Sequence, residues 1–203
     1  MLTYLNDSKL KTAFLAEVTK HEEQDQLIKG SYGRLNGIFK GCAIGCSLHS
    51  LNVLQGKTGE VSAIDTDQHA RYETELGLPI WFAHLEDHLF EELPDDLAMT
   101  WPRRLADAIP VGAVVDDVVL AKILLWSLVG DEFGVRQVTD KAKIHGYIDA
   151  IAACLQSEIS GGATADQRKA AALAALAARA AWDAWAARAA WDAWAARAAW
   201  DAW

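Results

Sequence analysis

Through residues 1–160 the apolar positions recur at intervals of three and four, the spacing of a helix face, and no run alternates convincingly as a strand would. Asp7 or Ser8 caps a predicted helix carrying Leu10, Phe14, Leu15, Val18, Leu27 and Ile28, stopped by Gly30. Residues 30–41, GSYGRLNGIFKG, are glycine-rich and read as a loop. A short helix is predicted from Cys42 to Leu54, and another from Ile64 to Leu76 ended by Gly77. Pro79 suits a first helical turn, so 79–93 is a helix whose apolar face is Trp81, Phe82, Leu85 and Leu89. Thr100 and Pro102 open a further short helix. Val114 to Leu128 is apolar nearly all round and is therefore predicted to be the central helix, although its Val-rich start, 111–119, has the composition of a strand. Val138 to Ile159 closes the body. The pattern predicts an all-α fold, a helical bundle over 1–160.

Beyond Ser160-Gly161-Gly162 the chain is almost entirely Ala, Trp, Arg and Asp, and 163–203 reads as an appended segment. AARAAWDAW occurs three times without a mismatch, from Ala177, Ala186 and Ala195. Alanine is the strongest helix former, so a helix is predicted from about Thr164 to Trp203. Nine residues advance a helix by about 2.5 turns, so successive copies face opposite ways. Trp182, Trp185, Trp200 and Trp203 then share one side, and Trp191 and Trp194 the other. Arg179/Asp183, Arg188/Asp192 and Arg197/Asp201 form i,i+4 pairs between them. An isolated helix cannot bury both aromatic edges. The expected partner is the body, another copy of the chain or another protein. The alternative is a repeat expansion that only lengthens a helix. There is no heptad, as a coiled coil would need, and the nearly neutral charge argues against a membrane surface.

Composition narrows the class. Of 203 residues 52% are hydrophobic, ample for a core. A net charge of −9, from 28 acidic and 19 basic groups, disfavours nucleic acid, whose backbone needs clustered Lys and Arg. The longest apolar stretch, Ala108 to Val129, is broken by Asp116, Asp117 and Lys122, which excludes a membrane span. No basic, apolar, small-residue leader opens the chain, which reads as cytoplasmic. Three cysteines do not make a disulfide framework.

Candidate chemistry falls into three groups. His21 precedes Asp25, His69 precedes Glu73, and His84 precedes His88 by four residues, with Glu91 three further on. Each set shares a helix face, an arrangement from which bundles build metal sites and which also suits general acid–base work. Solvated surface pairs have the same spacing. Cys42, Cys46 and His49 lie at i, i+4 and i+7; thiolate and imidazole are zinc ligands, although structural zinc sites usually space cysteines by two and use four ligands. A helix N-terminus would lower the pKa of Cys42, the condition for a reactive thiol, whereas small residues here would equally let helices pack closely. The glycine-rich loop, with Tyr32, Arg34 and Lys40, could hold a small acidic ligand at a helix start, but it lacks the P-loop pattern. No GxSxG or HExxH is present.

The ordered set KHEEQDQLIKG (20–30), KGCAIGCSL (40–48), YETELGLPIW (72–81), EDHLFEELP (86–94) and Trp101-Pro102, followed by a variable Ala/Trp-rich tail, resembles a family from bacterial and phage genomes with KHxxxD, GCA[IV]GC and EDHxFE motifs. The resemblance extends to about residue 117. It implies a soluble helical protein, supplies no activity, and singles out His21, Asp25, Cys42, Cys46, Tyr72, Glu73, Asp87, His88 and Glu91; it fixes no histidine at 49 or 84. A phage or prophage setting implies an accessory role, such as interfering with host defence or capturing a small molecule. The leading expectation is a pocket holding a divalent metal through His21, Asp25, Cys42, Cys46, His88 and Glu91, or a small polar ligand through Tyr32, Lys40, Tyr72 and Glu73. Two others stand beside it: an enzyme using His21 or His88 as base and Cys42 as nucleophile, and an interaction module acting through the acidic body or the Trp tail.

Overall fold

The computed structural model describes the backbone of residues 1–30, 34–35, 38–57, 66–132, 134–138 and 142–180. The chain is all-α, as the apolar spacing predicts, and divides into two compact units, Met1–Asp116 and Asp117–Trp203. The composition change near 160 is thus not where the chain divides in space.

In the first unit α1 (Ser8–Glu23) is capped by Asp7, whose carboxylate accepts from the Lys9 amide at 2.8 Å. It stops well short of Gly30. Asp25 takes a left-handed conformation (φ 53°), tolerated by a short polar side chain. Leu27 then bridges to Gly41 in parallel, with Ile28 N–H donating to the Gly41 carbonyl at 2.9 Å. Leu27 and Ile28, predicted as the last helical turn, therefore lie in an extended segment. Between them and α2 (Ala43–Leu54) is a two-residue antiparallel ladder, β1 (Arg34–Leu35) with β2 (Ile38–Phe39). Next come α3 (Ala70–Leu76), α4 (Ile80–Glu92), the single turn α5 (Asp95–Ala98) and α6 (Trp101–Ala108). Gly77 ends α3 in the left-handed region (φ 66°). A Cβ there would sit 2.0 Å from the Leu2 carbonyl oxygen, so the close approach of the N-terminal segment also requires glycine.

The core of this unit is built on α2, where Ala43 to Leu48, Ser50 and Leu51 are all buried. Its small residues, Gly45, Cys46, Ser47 and Ser50, let α1 and α4 approach closely. Phe14, Val18 and His21 face it from α1, and Phe82, Ala83, Glu86 and Phe90 are buried on α4. The N-terminus joins through Tyr4, whose hydroxyl donates to the Ala106 carbonyl at 2.6 Å.

The second unit contains α7 (Asp117–Val129), α8 (Val135–Val138), α9 (Ala142–Ile159) and α10, which spans 165–180 in the described residues. α7 packs along α9. Gly161 and Gly162, both at positive φ, separate α9 from α10, which opens on a capping box in which Thr164 and Gln167 satisfy each other's amides at 2.8 and 3.2 Å. The expectation that 114–128 forms the central helix is not met. Ala121 is the only buried residue of α7 and Trp126 is 62% exposed; α2 holds the central place in the first unit. All-round apolarity is common to a central helix and to one with uncovered faces, so it did not separate the two. The tryptophan positions 182–203 lie outside the described residues.

Candidate functional site

The N-terminus of α2 and the middle of α4 bring three metal-ligating groups together: the Cys42 thiol and the Asp87 and Glu91 carboxylates, whose ligand atoms lie within 4.8 Å of one another. Cys42 is the N-cap of α2, in extended conformation, and its sulfur accepts from the Gly45 amide at 3.5 Å. Asp87 and Glu91, at i and i+4, share a face of α4. The Cys42 thiol donates to Asp87 Oδ1 at 3.5 Å. Glu91 is oriented by the Gly30 amide, which donates to both its oxygens at 3.0 Å. Lys29 donates to the Leu93 carbonyl and pairs with Asp95 at 2.9 Å, so the segment leaving α1 is also tied to the end of α4 next to that contact. Cys42 is fully buried and the two carboxylates are half-buried.

Electrostatics sets the protonation state. Burial, and secondarily the Asp87 charge, push the Cys42 thiol up to about 12, outweighing the amides of Gly45 and Ile44 that favour thiolate. Burial therefore opposes the thiolate that the helix start favours. A cation beside it would reverse the balance, because it favours thiolate and relieves the crowding of negative charge.

The other predicted residues take separate places. Cys46 is buried behind the site, its thiol donating to the Gly41 carbonyl at 3.4 Å, and burial raises its pKa strongly. His21 is buried, bonded through Nδ1 to Gln26 and through Nε2 to His49 Nδ1 at 3.3 Å, with Phe39 stacked on His49 at 4.1 Å. Burial lowers its pKa to about 4. Asp25 is exposed and pairs with Lys40 at 3.2 Å, so neither turns toward the Cys42 group. His88 is exposed on α4, and His84 stacks on His69 at 4.3 Å. Tyr72 is buried and donates to Glu86 at 2.9 Å, while Glu73, beside it, is half-buried. Tyr32 and the Arg34 side chain lie outside the described residues.

Of the predicted metal set, Cys42 and Glu91 meet, and Asp87 replaces the histidines. His84 and His88 lie on the exposed side of α4, whereas Asp87 and Glu91 flank its buried face of Phe82, Ala83, Glu86 and Phe90; the i,i+4 carboxylates are the available signal. Glu86 was missed altogether. It is buried with its pKa raised to about 7, first by burial, and the cavity it lines with Tyr4, Ser47 and Tyr72 is only about 10 Å3, room for no ligand beyond a water.

Among the described residues no helix is long and apolar enough to cross a membrane. No known protein family, curated protein or solved structure matches this chain.

Proposed function

We propose that the first unit binds a divalent transition-metal cation of the zinc class through Cys42, Asp87 and Glu91. The observation that carries this reading is the convergence of one thiol and two carboxylates from two helices, with one carboxylate already oriented by a backbone amide. Bonds of zinc to sulfur and oxygen at tetrahedral angles separate those ligands by about 3.6 Å, close to the 3.5 Å between the Cys42 sulfur and Asp87 Oδ1. A thiolate favours borderline cations over magnesium or calcium, which take oxygen ligands. Three protein ligands leave one position for water or a ligand, and because their three negative charges outweigh the cation's two, the site suits water or a neutral carbonyl-bearing molecule held on the metal.

Isothermal titration of zinc into the full-length chain tests the reading. One equivalent should bind, and C42S, D87N and E91Q should each weaken binding about tenfold or more, the size of effect that even outer-shell partners produce at metal sites. H88A, altering an exposed residue of the same helix, should leave it unchanged. Equal affinity in all five chains would dismiss the site.

A further inference from the structure

We infer that the second unit is a homotypic docking module, in which the tryptophan repeats of one copy lie on the uncovered apolar face of α7 in a second copy. This is independent of the metal site. α7 buries only Ala121, while Trp126 is 62% exposed and Val118 and Leu124 are also exposed. Between α7, the end of α9 and α10 runs an open groove of about 360 Å3, lined by Val118, Leu120, Leu124 and Leu155, with the Glu158–Arg168 ion pair (2.5 Å) and Asp117 among its lining residues. Its volume is on the scale of a binding pocket, about 300–1,000 Å3, and its apolar floor suits an aromatic ring. On α10 itself Leu173 and Leu176 are 60% and 65% exposed, so the unit leaves large side chains unburied on more than one helix.

Two features identify the occupant. The first is the length and composition of the chain following α10. Residues 181–203 carry six tryptophans, and after Gly162 there is no Gly, Pro, Ser or Asn, four of the five residues that most often reverse a chain; the fifth, Asp, stands in each repeat four residues after an arginine. As a continued helix, 23 residues would extend about 35 Å, longer than α7, and would carry the tryptophans away from their own α7. In that form they would be offered to another molecule. The second feature is charge. The first unit holds 18 acidic and 10 basic residues, whereas 117–203 holds 10 acidic and 9 basic, a net of −1. Two copies therefore meet through their second units without the repulsion the first units would impose, and neither a strongly basic nor a strongly acidic partner finds a complementary field there. The repeat's arginines carry the charge opposite to that of Asp117 in the groove lining. Reciprocal exchange, each tail on the other copy's α7, makes a closed two-fold dimer.

Sedimentation equilibrium of the full-length chain tests this. The wild-type mass should be twice 22.1 kDa. W126E should weaken dimerisation about tenfold or more, as loss of a central aromatic anchor does, while W126F should remain dimeric. W182S/W185S/W200S/W203S should also be monomeric, probing the contact from its other side with α7 intact. An equimolar mixture of that variant with W126E should regain dimers, because one of the two tail–α7 contacts is then intact. A monomeric wild type, a dimeric W126E, a dimeric tail variant or a mixture that stays monomeric would overturn the inference; a dimeric W126E would indicate tail–tail pairing and a dimeric tail variant α7–α7 pairing.

Discussion

At the residue scale, two buried titratable groups oppose each other across the pH range. His21 is held neutral, its pKa lowered to about 4 by burial, against an ordinary 6.5. The unfolded chain takes up a proton that the folded chain refuses, so stability is lost as pH falls from 6.5 toward 4, by about 3 kcal/mol if the full shift is realised. Glu86 runs the other way. Its raised value, about 7 against 4.5, means the folded carboxyl keeps a proton that the unfolded chain releases, so stability is lost as pH rises from 4.5 toward 7. Between about pH 4.5 and 6.5 the two effects cancel, so urea midpoints measured across pH 4–8 in the presence of a chelator should be nearly level there in the wild type. They should fall with rising pH in H21Q, where Glu86 acts alone, and with dropping pH in E86Q, where His21 acts alone. Level profiles in both variants would contradict both assignments. At Cys42 the raised thiol predicts that zinc binding at pH 7 releases about one proton, detectable as a dependence of the binding enthalpy on buffer ionisation. C42S should abolish that dependence.

At the element scale, the sequence is most legible where a cap or breaker punctuates it. Asp7, Pro79 and Gly77 placed helix ends within a residue or two, because each acts through its own local geometry. The end of α1 was not legible, since Leu27 and Ile28 keep an apolar character that a helix and an extended bridge to Gly41 both use. The apolar pattern also does not distinguish the roles of α2 and α7. The burial of α2 comes from small residues packed between neighbours, and hydrophobicity alone ranks α7 above it. Two of the three candidate-site residues were legible for a similar reason. Cys42 and Glu91 stood out by type, but their meeting, and the inclusion of Asp87, depends on how α2 and α4 cross, which no single helix records. Gly77 gives the sharpest element-level test. G77A puts a Cβ at left-handed φ and 2.0 Å from the Leu2 carbonyl. It should cost on the order of 1–3 kcal/mol in denaturant unfolding, more if the N-terminal segment detaches. A cost below 0.5 kcal/mol, on the order of a surface substitution, would mean that this approach is not kept in solution.

At the scale of the whole molecule, charge and apolar surface are unequally shared. The first unit carries nearly all the excess acid and a core organised on α2; the second is close to neutral and leaves Trp126, Val138, Leu173 and Leu176 exposed. The division of labour this supports is a ligand-holding first unit carried on a second unit that associates. Because 117–203 is nearly neutral, dimer formation should be insensitive to salt between about 0.05 and 0.5 M, whereas an interface made by the acidic unit would strengthen as salt screens it. Sedimentation at the two ionic strengths distinguishes them.

The metal site is the central claim, and X-ray absorption at the zinc edge of the zinc-loaded full-length chain addresses it most directly. The account predicts a first shell with one sulfur at about 2.3 Å and oxygens at about 2.0–2.2 Å, the sulfur disappearing in C42S. A shell of nitrogen and oxygen without sulfur, or one with two sulfurs, would place the cation elsewhere and contradict it.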